Sequence, residues 1–130
     1  MIGCAHLWNN WKAHFPDSPL VQEIQARISS YSKPDWEKMI EEAHILNDEL
    51  GDLIRNNVPI GDKRAEQAFD HLREHYDRWF CNFTQAYVRR ISPAVALDPD
   101  FHEFFNQQAE GLSRYMPRLI TYYSYKLPKE

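Results

Sequence analysis

Between Pro34 and Asn56, the apolar residues Trp36, Met39, Ile40, Ala43, Leu46, Leu50, Leu53 and Ile54 recur at steps of three and four. This spacing lines one face of a 3.6-residue helix and does not fit the two-residue period of a strand. A long helix with one apolar stripe must bury that stripe, so the remaining segments have to supply packing partners. Its start is marked locally. Ser32 and Asp35 stand at the ends of a capping box, and Pro34 suits a first turn whose N–H groups lack helical partners.

Helical spacing continues through the chain. The run Asn56-Asn57-Val58-Pro59-Ile60-Gly61 supplies a breaker, and Asp62 caps a second helix expected to reach Phe80. That helix carries the stripe Ala65, Ala68, Phe69, Leu72, Tyr76, Trp79 and Phe80, and an antiparallel pair with its predecessor is predicted. A helix from Asn82 or Thr84 carries Tyr87, Val88, Ile91, Ala94 and Val95, with Pro93 expected to kink or stop it. Asp98-Pro99 opens a short helix with Phe101, Phe104 and Phe105, which Gly111 ends. A last helix is predicted over Leu112 to Tyr123, bent at Pro117. The fold class is all-α, with about six to seven helices.

Residues 1–31 carry a weaker pattern. Pro16, Asp17, Ser18 and Pro19 divide a piece with Trp8, Trp11 and Phe15 from one with Leu20, Val21, Ile24 and Ile28. They are assigned as an N-terminal arm or lid, and residues 32–130 as the main domain.

Charge and cysteine usage exclude several classes. With 43% apolar and 26% charged residues, a 130-residue chain has the composition of one globular domain. The net charge of -4, with basic residues no more clustered than Lys63-Arg64 and Arg89-Arg90, leaves no stripe for nucleic acid. Cys4 and Cys81 form no Cys-x-x-Cys pair, so neither a disulfide framework nor a zinc ribbon is expected. No signal peptide or membrane span is recognisable, which points to the cytoplasm.

One string has catalytic form. His71-Leu72-Arg73-Glu74-His75 matches the His-x-x-Glu-His pattern of inverted zinc peptidases, with two histidines on one helix face. No third ligand is marked, so the expectation is ordinary polar helix positions and no metal. His44, His71, His75 and His102 each sit on a helix as haem ligands can, but no signature selects one. Nucleophile elbows and phosphate loops are missing, and neither an enzyme nor a cofactor is expected. What stands out is aromatic density after residue 75, which core filling explains in part. Tyr and Trp also bring polar atoms, and an apolar cleft with a few polar groups is the usual form of a small-molecule site.

The wording of the chain goes further. Tyr31-Ser32-Lys33-Pro34-Asp35-Trp36 ahead of the long helix resembles the entry to the drug-recognition domain of TipA-type regulators in the MerR family. Val58-Pro59-Ile60-Gly61-Asp62 with Gln67, His75-Tyr76-Asp77-Arg78-Trp79-Phe80, Asp98-Pro99-Asp100-Phe101 and Glu110-Gly111-Leu112 are similar to further motifs of that family, in the same order. The resemblance covers residues 31 to 125. It implies a globin-like fold without haem, whose cleft captures bulky peptide-like antibiotics such as thiopeptides. It also implies a DNA-binding MerR domain in longer relatives, the chain acting as drug sensor or as drug-sequestering resistance protein.

Trp79, Phe83, Tyr87, Phe104, Leu112 and Tyr115 are the expected cleft residues, and Trp8, Trp11 and Phe15 the expected lid. For Cys81 the resemblance implies covalent capture of a dehydroalanine-bearing ligand, while the residue by itself also reads as an inert buried thiol. The alternative function is a helical interaction or dimerisation module, and the sequence leaves oligomeric state open.

Overall fold

The computed structural model describes residues 13, 19–90 and 99–130. Among these residues lie six helices, α1 (Pro19–Ser29), α2 (Lys33–Arg55), α3 (Lys63–Trp79), α4 (Gln85–Arg90), α5 (Pro99–Gln108) and α6 (Leu112–Tyr123), and a 3-10 turn at Ser124–Lys126. No strand occurs among the described residues. Trp8, Trp11 and Phe15, like Pro93 and Asp98, lie outside them.

The helix boundaries follow from local chemistry. At the start of α2 the Ser32 hydroxyl accepts from the Asp35 N–H at 3.4 Å, and the Asp35 carboxylate accepts from the Ser32 N–H at 3.0 Å, closing the capping box. At the other end Asn57 turns into the left-handed region with φ 52°. Asp62 then accepts from the Arg64 N–H at 2.9 Å and opens α3. Gly111, at φ 87°, makes the break between α5 and α6 that a residue with a side chain resists. The Asn106 side chain completes the turn by accepting from the Ser113 N–H at 3.2 Å.

α2 and α3 form the most extensive helix pair, and they run antiparallel as predicted: Glu49 faces His71, while Glu42 faces Arg78. α6 packs against both. Leu50 and Leu53 of α2, Phe69 and Leu72 of α3, and Leu112, Met116 and Leu119 of α6 meet in one core. Each such side chain contributes about 1.5–3 kcal/mol when fully buried. Pro117 lies inside α6 without ending it. A proline there forfeits a backbone bond and costs about 3 kcal/mol, which burial of Leu112, Met116, Leu119, Ile120 and Tyr123 offsets.

Two peripheral segments are fastened to this body. Ile24 of α1 enters the core, and Arg27 donates to the Asp77 carbonyl at 2.6 Å and to Asn82 Oδ1 at 3.0 Å. After the 3-10 turn, Leu127 is buried and the tail lies over the start of α4. Gln85 N–H donates to the Pro128 carbonyl at 2.8 Å and Ala86 N–H to the Lys129 carbonyl at 3.1 Å.

Candidate functional site

The six residues expected to line a cleft fall into different surroundings. Trp79 ends α3 and is 6% exposed, with its indole N–H donating to a Glu42 carboxylate oxygen. Tyr31 stands edge-on to it at 5.4 Å and donates its hydroxyl to the Trp79 carbonyl at 2.6 Å. Phe83 and Tyr87 are brought together, 5.2 Å between ring centres, with Tyr76 stacked on Phe83 at 5.4 Å. Both are enclosed, and burial pushes the Tyr87 hydroxyl well above its ordinary pKa. Leu112 is fully buried and belongs to the same core cluster.

Phe104 and Tyr115 are the two that retain part of their surface. Phe104 packs edge-on to Phe105 at 5.0 Å, and Tyr115 donates its hydroxyl to the Val58 carbonyl at 3.4 Å. Of the six expected cleft residues, four are therefore buried and two are half-buried rings.

Cys81 is fully buried among α1, α3 and α4 residues. Burial, reinforced by the charges of Glu23 and Asp77, holds its thiol up to about 12, while Arg27 pulls the other way. Only the thiolate attacks, so the cysteine is unreactive in this conformation. The Arg78 guanidinium, three residues before it in sequence, is paired with Glu42.

An open site lies elsewhere, in a groove of about 340 Å3 between α2 and α3. Glu42, Ile45, Leu46 and Glu49 line it from α2, and His71, Glu74, His75 and Arg78 from α3. Ile45 is 63% exposed, an apolar floor left in water. Glu49 takes the His71 Nδ1 at 2.8 Å. Glu42 accepts from both Arg78 and Trp79, joining the two helices.

His75 differs from its neighbours. It is 9% exposed, and its Nδ1 is buried without a hydrogen bond; the closest carboxylate oxygen is Glu42 Oε2 at 3.7 Å. Burial lowers its pKa, against the opposing pull of Glu42, so the imidazole is held neutral. Tyr76 and Phe80 stand edge-on to it, each at 5.9 Å.

The His-x-x-Glu-His string is therefore not a row of ordinary polar positions, since His75 is buried and His71, Glu74 and His75 share one groove wall. Its donors are spread along the groove. Among the described residues no three His, Cys, Asp or Glu side chains converge to hold a metal ion. Glu42, Ile45 and Glu49 were not marked by any motif. Their signal is positional: Glu42 and Glu49 stand seven apart on α2, two helical turns on one face.

Among the described residues the chain forms a small helical domain without strands, with a solvent-open amphipathic groove between α2 and α3. No helix among these residues is long and apolar enough to cross a membrane. The family model of the TipAS antibiotic-recognition domain matches residues 9–123, and the chain belongs to that family. Nothing among curated proteins or solved structures matches the chain.

Proposed function

We propose that the chain binds bulky peptide-like or aromatic antibiotics of thiopeptide type, either as the sensor of a MerR-type regulator or as a protein that lowers free drug. The observation that carries this reading is the family match, which spans residues 9–123 and so most of the helical body. Phe104 and Tyr115 keep accessible ring surface, while Phe83, Tyr87, Leu112 and Trp79 are buried and would meet ligand only where binding opens the helices around them.

Since α1 is docked through Ile24 and Arg27, a closing lid is confined to the segment before Pro19, which carries Trp8, Trp11 and Phe15. Covalent capture at Cys81 requires the same opening to expose the thiol, because burial keeps it protonated.

Titration of the full chain with a thiopeptide, followed by tryptophan fluorescence, tests the proposal. A saturable change at stoichiometric drug is expected, and no saturable change across a panel of peptide antibiotics overturns it. Intact-mass measurement of the complex reads out whether a covalent adduct forms.

A further inference from the structure

We propose that the groove between α2 and α3 is a separate ligand site for an amine-bearing amphiphile: its apolar body lies on Ile45 and Leu46, and its protonated nitrogen sits among Glu49, Glu74 and the His75 imidazole. This inference is independent of where an antibiotic binds.

Three observations select that chemistry. The first is His75 Nδ1, a buried polar atom without a hydrogen bond on the groove wall. A buried polar group left unpaired is costly, and an incoming partner recovers that cost. Burial disfavours charge on the imidazole, so the ring nitrogen that carries no proton offers a lone pair. A ligand donor satisfies it. A ligand acceptor would have to share the space with Glu42 Oε2, 3.7 Å from Nδ1, and be repelled.

Charge is the second. Glu42, Glu49 and Glu74 face one guanidinium, that of Arg78, and the His75 imidazole is neutral, so carboxylates outnumber the cationic side chains along the groove. Such a concave, one-signed surface concentrates cations. The third is shape. About 340 Å3 lies within the range of small-molecule pockets, and its floor includes the exposed Ile45. Among the described residues no three carboxylate or imidazole groups converge as an ion requires, and the apolar floor calls for a molecule with an apolar body.

The test holds the apolar body constant and changes the head group. The full chain, labelled with nitrogen-15 at pH 7.5, is titrated with 2-(1-naphthyl)ethylamine, 2-(1-naphthyl)ethanol and 1-naphthylacetate. The amine is expected to bind saturably, with shifts gathered at Ile45, Glu49, His71 and His75. The alcohol is expected to bind about tenfold more weakly, the scale of one charge-assisted hydrogen bond, and the carboxylate not at all. Glu49→Gln and Glu74→Gln should each weaken the amine several-fold, and Ile45→Ser about fivefold through lost apolar contact. Circular dichroism checks that each variant keeps its fold, and thiopeptide titration of Glu49→Gln should match the parent chain. Equal binding of the three head groups, shifts centred outside the groove, or an affinity unmoved by both glutamate variants overturns the inference.

Discussion

Removing the Glu42 carboxylate should loosen the joint between α2 and α3 by an amount set almost entirely by Trp79. Glu42 accepts from the Arg78 guanidinium, whose side chain is 53% exposed, and from the Trp79 indole, whose residue is 6% exposed. An exposed ion pair is worth about 0–1 kcal/mol, because water takes over the freed guanidinium. The buried indole N–H finds no such substitute, and leaving it unpaired costs about 1–3 kcal/mol. Glu42→Ala should therefore cost about 2–3 kcal/mol, while Glu42→Gln, which keeps an amide oxygen for the indole, should cost about 1 kcal/mol. With a urea dependence of roughly 2 kcal/mol per molar, the alanine variant unfolds at about 1 M less urea than the parent chain. Far-ultraviolet circular dichroism gives the midpoint without interference from tryptophan emission. In a Trp79→Phe background the donor is gone, and Glu42→Ala should then cost only about 0.5 kcal/mol. An equal cost in both backgrounds, or no gap between the glutamine and alanine variants, would show that the indole bond carries none of the joint.

Other outcomes follow from the same structure. Leu50→Ala, at a fully buried α2 position, should lose about 3 kcal/mol and lower the thermal midpoint by roughly 10 °C; a loss under about 1 kcal/mol would mean the core collapses around the gap. Cys81 should resist iodoacetamide in the native chain and alkylate once urea unfolds it, as peptide mass mapping can show, because its thiol is buried and held up to about 12. His75 is neutral when folded, its pKa depressed below the ordinary 6.5. Its contribution is then fully present above pH 6.5 and lost as pH falls through the folded value, since the unfolded chain takes up the proton first. The urea midpoint should fall more steeply below pH 6.5 in the parent chain than in His75→Asn, and parallel profiles would count against a buried neutral imidazole.

What the sequence made legible was whatever is decided within a few residues. Ser32 with Asp35, Asp62 and Gly111 mark helix ends because caps and left-handed turns are local events, and the structure places them where those rules put them. The pairing of α2 with α3 was legible too, since two long stripes joined by a short loop have few other ways to be buried. The site was less so. Tyr and Phe counts do not say which rings face inward, and Phe83 and Tyr87 proved to be core. His75 could have been placed by its spacing: three residues after Leu72 and four before Trp79, it continues the buried row Ala65, Ala68, Leu72. The groove itself needs Glu42 and Glu49 from one helix opposite His71 and His75 from another, a juxtaposition that exists only after packing.

The tail over α4 has a consequence for how strain travels through the domain. Gln85 and Ala86 satisfy their amides on the carbonyls of Pro128 and Lys129, and the Gln85 side chain adds a bond to the Leu127 carbonyl at 3.1 Å. These bonds tie the first turn of α4 to residues some forty positions further along the chain. In amide exchange, Gln85 and Ala86 should open together with the tail and not with the core, behaving as one hinge-bound flap. A pull on the C-terminus would load that flap first, and would reach Phe83 and Tyr87 before it reached α2.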